Sequence, residues 1–182
     1  MIKPLIAQRS PQENPRAKEI QQLEDVLILQ LQELIEIEQD VAQQMPVLLS
    51  QLQNHELQVT LQSHSHAMPV RVEQLRVLRE QRRAKPDLEG VPPISALLNR
   101  TRQQLLSATA NRGVMDTLLL NAALKIEHIK IVTYEEARDY AELLNDEYTS
   151  DTLRALLQEE ETITFVLKEL AAEVVNESSL AA

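Results

Sequence analysis

Four ionisable residues each lie near the middle of an otherwise apolar helical stripe. One stripe runs through Ile35 and Val41, with Glu38 inside it, and three later stripes are interrupted in the same way by His64, Glu127 and Glu160. Burying a carboxylate without a partner costs several kcal/mol, so four such positions at comparable heights predict a common partner. Carboxylate oxygens and imidazole nitrogens in a helical bundle are ligands that suit iron or manganese. The pattern is therefore typical of a buried metal site.

Two other interpretations of the same four positions stay open at this point. Each residue can have its own ion-pair partner, since structural ion pairs are common inside helical proteins. A residue can also lie at the edge of its stripe and reach water, because the phase of a helix drifts along its length.

The elements that must position these residues are long helices. The first is predicted from Ala17 to about Asn54, with a kink at Pro46, and Asn54 can also cap the next helix. The second carries Leu57 to Leu78 and ends near Arg83, and Pro69 predicts a kink or bulge within it. A short helix is predicted over residues 95–108, and two more long helices over 114–144 and 150–175, the last with Ser150 as its N-cap.

Composition limits the class of protein. The 182 residues include only two glycines and one phenylalanine among long runs of Leu, Gln, Glu and Ala, which excludes sandwiches, barrels and doubly wound sheets. We predict an all-α domain over residues 17–176, with a flexible N-terminal tail at 1–16 and a C-terminal tail at 177–182. The absence of cysteine excludes disulfides, thiolate zinc sites and a Cys nucleophile.

Charge and hydropathy limit the partners. A net charge of −10 repels a phosphate backbone, and the one basic cluster, between Arg79 and Lys85, has no interleaved aromatic residues, so no nucleic-acid binding is expected. We interpret that cluster as the end of the second helix meeting its dipole. No run approaches ~18 consecutive apolar residues, so we expect no membrane span and no signal segment. A cytoplasmic protein without an organic cofactor is predicted.

Residues 125–134, with the sequence KIEHIKIVTY, resemble the motif K-V-E-H-Y-E-I-A-x-Y of the bacterial YciE/YciF ferritin-like proteins. Glu38 and the step Met45-Pro46 match the first-helix pattern of that family, and His64 matches its second-helix histidine. The acidic run at 158–161 matches the last helix, and the similarity covers residues 21 to 175.

The resemblance implies an antiparallel ferritin-like four-helix bundle, with one extra short helix between the second and third long helices. It also implies a homodimer, a link to stress or to ferroxidase chemistry, and a pair of metal ions held by carboxylates and histidine. Three family acidic positions are occupied here by Ala67, Lys130 and Thr164. Since two ions need roughly six protein ligands, the remaining set of Glu38, His64, Glu127 and Glu160 is expected to hold one iron or manganese ion, or none.

Three residues near this set have two interpretations each. Lys130 is one turn beyond Glu127, so its ammonium can replace part of the charge of a metal, or its stem can carry it to water. His128 can support a ligand or a dimer contact, or can be a surface histidine. Tyr134 can serve radical or proton chemistry, or can be a packed tyrosine with its hydroxyl at the rim.

Three functions follow from the sequence. The first is a stress-associated or structural ferritin-like protein whose degenerate site holds at most one ion. The second is a working di-iron oxidoreductase of the ferroxidase or peroxidase type. The third is a metal-free helical interaction module. The missing ligands favour the first.

Overall fold

A computed structural model describes residues 20–82, 94–108 and 111–180. These residues form five α-helices and no strand, which confirms the all-α prediction. The predicted N-terminal tail at 1–16 lies outside the described residues. The helices are α1 (Leu23–Leu49), α2 (His55–Glu80), α3 (Ser95–Ser107), α4 (Arg112–Leu143) and α5 (Glu147–Leu180).

Side-chain caps explain where two of the long helices begin. Asn54 Oδ1 accepts the N–H of Leu57 at 2.8 Å, so Asn54 caps α2 as predicted. Asn111 Oδ1 accepts the N–H of Val114 and starts α4 in the same way. An asparagine at these positions satisfies a backbone donor that the first turn of a helix leaves free.

The start of α5 differs from the prediction. The expected N-cap, Ser150, lies inside the helix, and Asp146 Oδ1 instead accepts the N–H of Thr149 at 3.1 Å. Asn145, just before it, has a φ of 56°, the left-handed conformation that asparagine tolerates in a tight turn. The turn between α4 and α5 is therefore shorter than expected.

Two further helices differ from the prediction at their ends, and a third differs at an internal proline. Helix α1 begins at Leu23 and ends at Leu49, well short of Asn54. Helix α5 continues to Leu180, into the segment 177–182 assigned to a tail, because no glycine or proline interrupts it there. Of the kink or bulge predicted at Pro69, the bulge does not form, because α2 stays α-helical through this residue.

The four long helices enclose two apolar clusters, one at each end of the bundle. One cluster combines the start of α1, the end of α2, the end of α4 and the start of α5. The other combines the opposite ends of the same helices with α3. Neighbouring long helices are therefore antiparallel in the pairs α1–α2, α1–α4, α2–α5 and α4–α5, and α3 contributes to only one half of the core.

Polar contacts between helices close both ends of the bundle. At one end, the Asp116 carboxylate of α4 accepts the backbone N–H groups of Gln53 and Asn54 at 3.0 and 2.9 Å. At the other end, Arg82 donates to Asp146 at 2.6 Å and to the Thr149 hydroxyl at 2.9 Å. The basic cluster predicted to meet a helix dipole thus contributes Arg82 to an ion pair, while its residues 83 and 85 lie outside the described residues. Within the described part of the chain, no helix is long and apolar enough to cross a membrane.

Candidate metal centre

A layer of buried charged side chains lies between the two apolar clusters, and a single lysine lies at the centre of this charged layer. Lys130 Nζ is 2.6 Å from Glu160 Oε2, 3.1 Å from Glu38 Oε1, 3.2 Å from Glu127 Oε2 and 3.3 Å from His64 Nε2. The Lys130 side chain is 0% exposed, so the interpretation in which its stem carries the ammonium to water is wrong. All four residues predicted from the stripes converge on this one ammonium group.

Helical spacing explains why Lys130 reaches the cluster. It follows Glu127 by three residues, which places both on the same face of α4, directed toward the core. Glu38 and Glu160 approach the ammonium from α1 and α5, and their side chains are fully buried. The remaining contact comes from His64 on α2, so each long helix contributes at least one residue to the layer.

A second buried cation belongs to the same layer and was missed in the sequence. Arg71 Nε lies 3.5 Å from Glu38 Oε1 and 3.3 Å from Glu160 Oε1, and only 3% of its side chain is exposed. Arg71 Nη2 also lies 3.3 Å from Nδ1 of His64. The signal for this residue was its spacing of seven from His64, two helical turns along the same stripe of α2.

The Tyr134 hydroxyl lies among the buried charged side chains around Lys130, so the prediction that it lies at the rim of the bundle is wrong. The hydroxyl donates a hydrogen bond to Glu38 Oε1 at 3.2 Å, and the side chain is fully buried. Burial and the nearby Glu38 carboxylate raise the pKa of Tyr134 well above its usual value, so the phenol keeps its proton. Tyr134 therefore acts as a donor to Glu38.

Two of the other histidines are outside the cluster. His128 and His66 are exposed, so the structure does not bring His128 to the predicted ligands. Of the departures from the family motif, Thr164 is buried and its hydroxyl lacks a hydrogen-bond partner among the described residues, whereas Ala67 lines an open groove.

The pKa values of the layer follow from burial and from the close opposite charges. Burial, aided by the Lys130 ammonium, lowers the pKa of His64 to about 4, so His64 is neutral at neutral pH. Burial alone would lower the pKa of Lys130, but Glu127, Glu38 and Glu160 outweigh it and raise the pKa. Burial raises the pKa of Glu160. The ammonium is thus held firmly in its charged form.

Three of the four predicted ligands, without Glu38, form one candidate group for a metal ion. Ligand atoms of His64, Glu127 and Glu160 lie within 4.8 Å of one another, and the two carboxylates with one imidazole are a set that suits iron or manganese. Two ions would need roughly six ligands. Lys130 Nζ lies within 3.3 Å of all three residues, so an ion at these donors and the ammonium compete for the same oxygen atoms.

The family model described as "Domain of unknown function (DUF892)" matches residues 22–180. The chain belongs to this family. No curated protein matches the chain.

Two solved structures have the same fold as this DUF892 member. YcfI of Rhodopseudomonas palustris, a proposed structural protein, has a TM-score of 0.77 at 25% identity, covering 84% of this chain and 97% of that one. The E. coli stress protein YciF has a TM-score of 0.78 at 23% identity, covering 86% of this chain and 99% of that one. These likenesses confirm the resemblance to the YciE/YciF proteins and the ferritin-like four-helix bundle with its extra short helix.

Proposed function

We propose that this protein is a stress-associated, structural YciE/YciF-type protein in which Lys130 and Arg71 supply positive charge that metal ions would otherwise bring. It holds at most one iron or manganese ion and does not act as a di-metal oxidoreductase. The observation that carries this proposal is the position of Lys130 Nζ, within 3.3 Å of all four predicted ligands.

Charge balance supports the proposal. The layer contains the carboxyl groups of Glu38, Glu127 and Glu160 and the cations of Lys130 and Arg71, while His64 is neutral. Three anions and two cations leave one net negative charge when all five groups are ionised. The two cations already stabilise the carboxylates, so the bundle does not need two ions to fold.

The same ammonium limits the affinity for a metal. An ion bound by His64, Glu127 and Glu160 gains their donor atoms only if Lys130 moves away or loses its proton. The raised pKa of Lys130 opposes the loss of the proton, and the surrounding apolar clusters oppose its movement. We therefore expect weak binding of one ion. If no ion binds at all, the protein is the metal-free interaction module, an alternative that the same charge balance favours.

Metal content tests this proposal. The full chain is expressed with iron or manganese supplied, and the bound metal is measured by elemental analysis after gel filtration. We expect no more than one ion per chain. Lys130→Glu should raise the metal content, because it removes the ammonium and adds a ligand. Lys125→Glu, a matched change at an exposed lysine of the same helix, should leave the content unchanged.

Two ions per parent chain, or equal metal content in both variants and the parent, would refute the proposed role of Lys130. If the Lys130→Glu variant unfolds without metal, its recovery of helical structure on addition of iron or manganese measures the same affinity.

Association with stress, a homodimeric state and a cytoplasmic location are further parts of the proposal. The fold of the stress protein YciF and the resemblance to its family support the first two, and the absence of cysteine suits a reducing compartment. Light scattering coupled to gel filtration tests the dimer. Survival of a deletion strain under osmotic and oxidative challenge tests the association with stress.

A further inference from the structure

An open groove of about 760 Å³ lies between α2 and α5, beside the buried ion cluster. The two helices are antiparallel, and the residues that line the groove differ between its two ends. Arg71 and Glu159 lie toward one end, and Val59, Ile163 and Val166 lie toward the other. Its volume is in the range of small-molecule sites.

At the polar end, the buried guanidinium of Arg71 forms an ion pair with the exposed carboxylate of Glu159. Arg71 Nη1 lies 3.2 Å from Glu159 Oε2, and the exposed fractions of the two side chains are 3% and 57%. The other guanidinium nitrogens of Arg71 lie within 3.5 Å of Glu38, Glu160 and His64. Because more than half of the Glu159 side chain is exposed, water screens this ion pair and hydrates the carboxylate when it leaves, so Glu159 is easily displaced.

The apolar end of the groove has nothing covering it among the described residues. Val59 and Val166 are 49% and 36% exposed, and Ile163 is partly buried against the core cluster. Ala67 and Ala155 line the groove with small side chains and leave it open along its length. A ligand that fits this surface has an apolar tail.

We propose that the groove binds a free alkyl carboxylate. Its carboxylate takes the place of the Glu159 carboxylate on Arg71 Nη1, and its alkyl chain lies along Val59, Ile163 and Val166. Glu159, with 57% of its side chain exposed, turns its own carboxylate toward water when the ligand takes its place. This binding uses no metal, and the one residue it shares with the function proposed above is Arg71.

Calorimetric titration of the full chain with dodecanoate, below its micelle-forming concentration, tests the site. We expect one dodecanoate bound per chain, while acetate, which has the head group alone, does not bind measurably. Dodecyltrimethylammonium, which has an alkyl tail and the opposite charge, should bind at least tenfold more weakly than dodecanoate. Absence of dodecanoate binding, or equal binding of the two amphiphiles, would overturn the proposal.

Two exposed substitutions test the two ends separately. Glu159→Gln removes the competing carboxylate and should tighten dodecanoate binding roughly two- to fivefold, the factor that corresponds to an exposed ion pair. Glu161→Gln, at an exposed position that does not line the groove, is the control and should have no effect. Val166→Asp, at the apolar end, should weaken binding at least tenfold. Unchanged affinity in both Glu159→Gln and Val166→Asp would place the ligand elsewhere and refute the site.

Discussion

Replacing Lys130 by methionine is the most direct perturbation of the buried layer. Methionine retains most of the apolar stem and removes only the ammonium, which leaves three buried carboxyl groups facing the single cation of Arg71. Breaking a buried ion pair by removing one partner costs about 3 to 5 kcal/mol. For a chain of this length, that loss corresponds to a fall of roughly 6 to 20 °C in the melting temperature.

The assay is urea unfolding, followed by far-ultraviolet circular dichroism in the presence of a chelator. The difference in free energy of unfolding between the parent and Lys130→Met should become smaller from pH 7 to pH 5. Without the ammonium, the buried carboxyl groups of the folded variant have raised pKa values and take up protons in this pH range. Lys125→Met, at an exposed position of the same helix, should stay within about 0.5 kcal/mol of the parent.

Two results would refute this reasoning. One is a Lys130→Met variant less than about 1 kcal/mol below the parent at pH 7, which would mean that the carboxyl groups do not depend on the ammonium. The other is a stability difference that does not change with pH, which would assign the loss to packing. If the variant is unfolded at pH 7, its refolding on acidification distinguishes the same two causes.

Three further predictions concern neighbours of Lys130 and the end of the bundle. The pKa of His64 is about 4 in the folded protein and about 6.5 in the unfolded chain. Acidification from pH 6.5 to pH 4 should therefore destabilise the parent by about 3 kcal/mol relative to His64→Gln, measured by urea unfolding at stepped pH. Tyr134→Phe removes the hydroxyl donor to Glu38 and should cost about 1 to 3 kcal/mol in the same assay; a neutral change would contradict the buried hydrogen bond. Arg82→Met should lower stability by about 1 to 2 kcal/mol, a modest loss because Asp146 is 37% exposed, and Arg82→Met combined with Asp146→Asn should cost less than the sum of the single changes.

The convergence of the four predicted residues could be read from the sequence because helical periodicity alone decides which side chains face the core. Glu38 and Glu160 replace apolar residues in their stripes, and both are fully buried. Periodicity does not determine how far one helix is shifted along its neighbour. For that reason Tyr134 was expected at the rim, whereas its hydroxyl lies level with the Glu38 carboxyl.

The two cations illustrate a different limit of sequence reasoning. Long basic side chains commonly carry their charge to water, so Arg71 and Lys130 could not be assigned to the interior by residue type. Their burial depends on carboxylates from other helices, which a single stripe does not show. The start of α5 was misplaced for a local reason, since Asp146 and Ser150 are both good caps and the hydrogen bond to Thr149 decides between them.

The charged layer between the two apolar clusters also restricts how the helices can be aligned. A shift of α4 by one turn would move Lys130 toward one of the apolar clusters and take its ammonium away from the carboxyl groups of Glu38 and Glu160. Leucine-rich helices can otherwise slide past one another at little cost, since many registers bury similar areas. The charged layer thus specifies the register of the helices. A chain with few aromatic residues and only two glycines has few other features that specify it.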